Sequence, residues 1–374
     1  MDEATKNNSV TIVCHCKVVT PMFSSGADQA KCEIRVPEIK AAMRFWWRAA
    51  NSNLKLDELK RRETLIFGGS GDEEARKSSF TMRVENVDDK NSSLDWNALN
   101  NIEEYKKVYG TKERKRSTVN LFDYLAYGVK NKYGAIKPET TFDLVVRVDT
   151  ECKKINKKTK KIEVVQDINP IDEVKKALEL FSCFGSIGAR SRNGFGKVVI
   201  DGYETNVADL CISYCKIKSI LPSYTAFSKN ASLFKTKEAY KTWHKALFEI
   251  GKAYRAARVG EDGKKGLLGD HYSGENRQYI SLPLSVMNLK DREKQNPSKD
   301  DYERIKLKQL RLERMAKQFF MIVEPENGGF VGYILHLPFD IEQVSRQCNK
   351  QMWLEANNAM KQQLGKYLEE IKYE

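Results

Sequence analysis

Between Gly185 and Lys197 the chain reads GSIGARSRNGFGK: four glycines, three cations and one phenylalanine. Glycines leave backbone amides open to an approaching anion, and guanidinium groups bind phosphate bidentately or stack on bases. The segment therefore suits a nucleotide cofactor, a phosphodiester chain, or nothing beyond a tight turn. A dinucleotide fingerprint needs G-x-G-x-x-G between a strand and the helix after it. Here a helix precedes the loop and a strand follows it. A Walker loop needs Ser or Thr after Gly-Lys, whereas Gly196-Lys197 is followed by Val198. No cofactor is expected. Contact with a nucleic-acid backbone is the favoured reading, through Gly188, Arg190, Arg192, Gly194, Phe195, Gly196 and Lys197, and a plain turn is the alternative.

A second constellation lies at residues 37–50, PEIKAAMRFWWRAA. Pro37 suits the first turn of a helix. On that helix Ile39, Met43, Trp46 and Ala50 fall on one apolar stripe, and Lys40, Arg44 and Arg48 follow one another at i+4 steps. Three cations with few acidic partners repel one another unless an anion lies close by. Phe45, Trp46 and Trp47 cannot all face one core, so at least one meets a base, a partner subunit or a second domain. Lys40, Arg44, Trp47 and Arg48 join the RNA-contact candidates. The plain alternative is a solvated basic face with a tryptophan anchor.

Chemistry of cleavage needs a proton donor and acceptor. Of the four histidines, His15 alone falls on the polar side of the first strand, beside Lys17. Both are RNA-contact candidates, and His15 is the candidate acid–base group should the chain cut RNA without metal. No orienting carboxylate is evident beside it. His244 falls on a helix and His336 in a strand. Asp72, Glu73 and Glu74 read as a solvated loop. The eight cysteines form no CxxC pair, and no histidine has zinc-ligand spacing. Reduced, buried thiols are expected, with no metal.

These residues need a frame. Alternation predicts strands at 11–19, with Ile12, Cys14, Cys16 and Val18 on one face, and at 79–84 and 141–148. Asn169-Pro170 caps a helix whose apolar stripe is Val174, Leu178, Phe181 and Phe184, stopped by Gly185. Residues 197–200 form a further strand. The order strand, helix, strand, strand, helix, strand is the ferredoxin-like pattern. The connection 87–140 carries extra helix near Leu121, Tyr124, Leu125 and Tyr127. The lysine-rich segment 153–161 predicts a mobile hairpin tip. Beyond it the sequence predicts a strand at 211–217, a helix at 235–258, glycine-rich charged loops at 260–274 and an extended run at 279–283. A charged loop and helix at 290–317, a hairpin over 318–323 and 330–337, and a C-terminal helix within 340–372 follow. The fold expected is α+β, with two ferredoxin-like (RRM-related) halves divided as 1–209 and 210–374.

A chain of 374 residues buries a sizeable core, and 41% hydrophobic residues keep it out of the disordered class. A net charge of +13 fits a polyanionic partner, nucleic acid before an anionic membrane. The opening MDEATKNNSV lacks the basic and apolar regions of a signal peptide, and no apolar run is long enough to span a membrane. A cytoplasmic setting is expected.

EIRVPEIKAAMRFWWRAA (33–50), TLIFGG (64–69) and GSIGARSRNGFGKV (185–198) together closely resemble the RAMP superfamily of CRISPR-associated RNA-binding proteins. Within it they resemble the first-subunit family of the type III-B, or Cmr, effector complex. VVTPMFSSG (18–26) is similar to the family's first strand and loop, whereas RQYISLP (277–283) carries a looser likeness. Arg44, Trp46, Trp47 and Arg48 match the helix motif; Gly188, Arg190, Arg192, Gly194, Phe195 and Gly196 match the loop. Where the helix motif usually has glycine, this chain has Ala41, which puts close backbone approach there in doubt. The resemblance implies a prokaryotic ribonucleoprotein that carries CRISPR guide RNA and captures complementary target RNA, with other RAMP subunits as partners. It implies a position near the guide's 3′ end and no catalysis. An RNA-processing endoribonuclease and a protein scaffold are the alternatives.

Overall fold

The structure is a computed structural model that describes residues 2–6, 8–28, 31–69, 76–109, 117–129, 134–155, 162–203, 205–216, 221–261, 264–265, 317–340 and 350–372. The chain opens with β1 (Asp2–Lys6), β2 (Ser9–Val18), α1 (Val36–Ala50), α2 (Leu56–Phe67) and β3 (Phe80–Asp88). The insertion after β3 holds α3 (Trp96–Asn101), the ribbon β4 (Lys106–Tyr109) and β5 (Ser117–Asn120), and α4 (Leu121–Leu125). Then come β6 (Thr141–Asp149), a hairpin of β7 (Cys152–Ile155) and β8 (Ile162–Val165), α5 (Pro170–Phe184) and β9 (Val198–Ile200). Next are α6 (Val207–Cys215), β10 (Ser232–Lys235), α7 (Trp243–Val259) and the short pair β11 (Gly260–Glu261) and β12 (Lys264–Lys265). β13 (Phe319–Glu326), β14 (Gly329–His336), α8 (Lys350–Leu364) and β15 (Glu369–Ile371) complete it.

The architecture is mixed α/β with antiparallel sheets. In the first sheet β2 lies between β6 and the pair β1 and β9, with β3 outermost beyond β6. The second sheet runs β13-β14-β10-β15. The strand–helix–strand–strand–helix–strand succession spans β2, α1, β3, β6, α5 and β9. It recurs as β10, α7, β13, β14, α8 and β15.

Three cores hold the layers together. Ile12, Cys14, Cys16 and Val18 of β2 meet Ile39, Met43 and Trp47 of α1 and Leu178 and Phe181 of α5. On the other side of α1 and α5, Trp46, Ala49, Leu180 and Phe184 meet Phe320, Ile322, Tyr333 and Leu335 of the second sheet. That sheet's remaining face, with Phe319, Met321 and Ile334, packs on α7 and α8. The second sheet is thus apolar on both faces, and burial of that apolar area is the main stabilising term. Among the described residues the other, open face of the first sheet leaves His15, Thr81, Arg83 and Arg147 exposed, while Val145 is buried there and Val199 packs against the core that holds Phe319 and Met321.

The strands at 11–19, 79–84 and 141–148, the helix stopped by Gly185 and the hairpin at 318–337 lie where the pattern puts them. Asn169 caps α5 by accepting from Ile171 N at 3.0 Å, and Gly185 N closes it on Phe181 O at 2.8 Å. Of the strand expected at 211–217, residue 217 lies outside the described residues and 211–215 are helical. Val207–Cys215 is a helix capped by Asn206, because Val207, Leu210, Cys211 and Cys215 are buried at helical spacing. The apolar stripe of α1 also differs: Trp47, not Trp46, continues the line of Ile39 and Met43. The helix expected from 235 starts at Trp243, after β10, and the C-terminal helix gives way to β15. Residues 156–161 of the lysine-rich tip, Asp72 to Glu74, 279–283, 290–316 and much of 260–274 lie outside the described residues. No helix among the described residues is long and apolar enough to cross a membrane.

Candidate nucleic-acid interface

The glycine loop leaves α5, crosses the seam between the two sheets and enters β9. Its glycines are taken up by the protein itself. Gly196 has φ +75°, and a Cβ there would lie 1.8 Å from Ile187 O. Gly188 has φ +84°, and its Cβ would lie 2.6 Å from Phe23 O. Gly185 and Gly194 are closed off by Phe181 and Leu247. The expectation that bare glycine backbone admits phosphate is therefore replaced by close self-packing. Phe195 presents no aromatic face outward: it is fully buried against Phe23, with ring centroids 5.3 Å apart.

Lys197 has no exposed surface either. Its Nζ donates to the carbonyls of Ser182 and Cys183 at the end of α5 and sits 2.7 Å from Glu324 Oε2. Burial pushes the Glu324 carboxyl up, and the adjacent ammonium opposes that. A cation at a helix C-terminus also meets the negative end of the helix dipole. Lys197 is a seam residue.

Arg192 is mostly buried in the same seam. Its Nη1 donates to Lys317 O, and its guanidinium lies 4.6 Å from the Phe320 ring centroid and 5.6 Å from that of Phe45. Burial lowers its pKa to about 10, so it stays cationic at neutral pH. Met321 N donates back to Arg192 O at 3.2 Å. Arg190 is the exposed cation of the loop, at φ +62°, and its Nε donates to Tyr127 O at 2.9 Å.

On α1 the basic stripe has an internal anion. Glu63 of α2 pairs with Arg44 Nε at 2.5 Å and Arg48 Nε at 3.1 Å, relieving the repulsion expected from sequence. Lys40 donates to Ser78 Oγ at 2.7 Å and lies over Phe80; burial, then Arg44, lowers its pKa. Trp47 is buried, its Nε1 donating to Glu173 Oε2 at 2.6 Å, so it offers no surface for a base. Trp46 is the residue that reaches the core shared with the second sheet, packing on Phe227 and Phe320.

The α1 motif and the loop meet in a cavity of about 340 Å³. Ala41, Phe45 and Trp46 of α1 form one wall. Ser186, Gly188, Ser191 and Arg192 form another, and Phe320 and Met321 of β13 form the third. Ala41 lines it directly. Glu38 of α1 lines it as well, so the hollow combines aromatic rings, one stacked guanidinium and two hydroxyls with one carboxylate. The rings and guanidinium suit a nucleobase, and a phosphate fits only at the Arg192 end, away from Glu38.

The remaining candidates lie on the open face of the first sheet. His15 and Asp143 face each other across β2 and β6, with Nδ1 2.7 Å from Oδ1. Asn86 donates to the other Asp143 oxygen at 2.6 Å. These bonds, that from Asn86 first, hold the Asp143 carboxyl below its usual range although its partial loss of water acts the other way. The sequence reading of a histidine without an orienting carboxylate is corrected. Lys17 pairs with Glu139 at 3.2 Å. The outward positions of the four principal strands, from Thr11 to Val199, include no aromatic residue. Among the described residues no group of three or more His, Cys, Asp or Glu is placed to hold a metal.

Glu63, Asp143, Phe320 and Lys317 were not legible as site residues. Asp143 alternates correctly within its strand, but only the β2–β6 register sets it opposite His15. Phe320 belongs to an all-apolar run that carries no directional signal.

The sequence profile of the RAMP superfamily matches residues 15–199, from β2 through β9. No curated protein matches the sequence. Among solved structures, the apo crystal structure of Cmr1 from Pyrococcus furiosus is similar over 97% of this chain and 98% of that one, at 16% identity and a TM-score of 0.51. A chain of the cryo-EM structure of the Type III-B Cmr-beta bound to cognate target RNA matches over 95% and 100%, at 13% identity and a TM-score of 0.48. At these identities the likeness to Cmr1 is one of fold. The family profile and the two motifs that meet in the cavity agree: the chain belongs to the RAMP superfamily.

Proposed function

We propose that this chain is a non-catalytic RNA-binding subunit of a CRISPR type III-B ribonucleoprotein effector, contacting guide RNA near its 3′ end, the complementary target RNA, or both. Other RAMP subunits are its neighbours in that reading. The observation that carries it is the cavity where α1, the glycine loop and β13 converge on Arg192. The net charge of +13 and the Cmr1-like fold support it. Each half is read as ferredoxin-like, divided near residue 209, from the succession of strands and helices that occurs twice.

The test is binding of labelled single-stranded RNA across a salt series, since the slope of log K against log salt counts phosphate contacts. Arg190→Ala with Arg192→Ala should weaken binding and flatten the slope in a variant whose circular dichroism matches the parent. A folded double variant with unchanged affinity would overturn the site.

A second reading rests on the His15–Asp143–Asn86 line, because a carboxylate that orients an imidazole is what general acid–base cleavage requires. Under it, a guide precursor gives discrete products in EDTA, and His15→Ala abolishes them. Products that survive that substitution, or none from the parent chain, remove it.

A further inference from the structure

We propose that Tyr127 and Arg190 form a second RNA-binding step beyond the cavity: the Tyr127 ring stacks on an unpaired base while Arg190 holds the adjoining phosphate. This rests on the RNA-binding reading above.

Tyr127 is 70% exposed, an unusual position for so large a ring in a chain that buries most of its aromatics. Its backbone is nevertheless fixed. Leu121, Phe122 and Leu125 anchor α4 in the core, and Ala126 and Val129, on either side of Tyr127-Gly128, are buried. Ala126 N closes on Phe122 O at 2.8 Å, and Val129 N on Ala126 O at 3.1 Å. Two loop side chains clamp the same turn. Arg190 donates from Nε and Nη2 to Tyr127 O, and Asn193 Nδ2 donates to Leu125 O at 2.8 Å. A ring presented outward from a pinned turn loses little entropy when a base lies on it, which is what a stacking platform needs.

Arg190 supplies the second half of the pair. It holds φ +62° although its loop uses glycine at four other places, so a side chain is kept where glycine would relieve the strain. A guanidinium has five N–H donors; the Tyr127 carbonyl takes two and leaves three for a phosphate. Gly128, at φ +81°, places no side chain over the guanidinium; a Cβ there would lie 3.4 Å from Nη2. The field behind is positive. Lys317 Nζ bonds to Arg192 O and Asn193 Oδ1, and its pKa is depressed by burial and then by Arg258, Arg192 and Arg190. A phosphate beside Arg190 would offset that repulsion. The open face of the first sheet offers no comparable aromatic ring.

Fluorescence anisotropy of the full chain with a labelled mixed-sequence single-stranded RNA tests this, alongside the same backbone carrying abasic sites. Tyr127→Ala should weaken binding to intact RNA roughly five- to a hundredfold and leave abasic RNA unaffected, while Tyr127→Phe keeps the parent affinity. Arg190→Ala should lower the salt slope by about one on both RNAs. If the parent binds RNA and Tyr127→Ala binds it equally well, the platform is wrong and the RNA-binding reading stands. If the parent binds neither RNA, the reading beneath it fails as well.

Discussion

Lys197 and Arg190 stand in one loop, carry the same charge and have opposite surroundings. Lys197 has no surface and spends its ammonium on two carbonyls and Glu324; Arg190 is exposed and keeps donors for a ligand. The loop is therefore two devices in series. Its C-terminal arm joins the first sheet to the second, and its middle carries the cation that solvent can reach. The glycines mark the close-packed stretches on both sides of Arg190, not the exposed middle.

The hardest blow to this contrast is at Gly196. Gly196→Ala forces a Cβ into Ile187 O at a left-handed φ, and should cost about 4 kcal/mol or more, read as lost soluble protein or a collapsed melting transition. A parent-like melt would show that the C-terminal arm is not packed as described. Next is Lys197→Ala, which removes the partner of the part-buried Glu324 and leaves two helix-end carbonyls without their donor, and should cost about 3 kcal/mol in urea unfolding. Adding Glu324→Gln should recover part of that loss; no recovery would detach the two residues from each other.

A pH titration sharpens the picture of the second sheet. His336 is buried, stacked on Phe319 and bonded to Asn357, and burial holds its pKa to about 3. For a base depressed on folding, the unfolded chain binds the extra proton. The stabilisation is complete above the ordinary histidine range and is lost as pH falls from about 6.5 towards 3, at up to about 1.4 kcal/mol per pH unit. His336→Gln should flatten that slope whatever it does to stability at neutral pH. The smallest thermodynamic effect belongs to Arg190→Ala, within about 1 kcal/mol of the parent in stability, while its RNA salt slope changes. A large destabilisation there would erase the distinction between the two cations.

The first sheet was largely legible because one face is buried and the other is mostly exposed, which imprints period two on β2, β3 and β6. The second sheet is covered on both sides, so Phe319 to Val323 reads as unbroken apolar sequence and its partners are invisible. Cys211 to Cys215 misled for a related reason: a short apolar run fits helix and strand alike, and only the Asn206 cap separates them. At the candidate site, residue types did not reveal which side chains face inward. Trp47, Phe195 and Lys197 belong to the interior, and Arg44 and Arg48 already share Glu63. Pairings across long sequence separations, such as His15 with Asp143, depend on register that composition does not carry.

Trp46 and Trp47 are neighbours in sequence, and successive helical residues point about 100° apart. One enters the core of the first sheet and the other the core shared with the second. Together they fix the roll of α1 about its own axis, as two dowels set at an angle stop a rod from turning. Inserting or deleting a single residue just before them would rotate both out of their sockets at once. The helix can carry variation along its outer face, but its phase is locked to the cores on both of its packed sides.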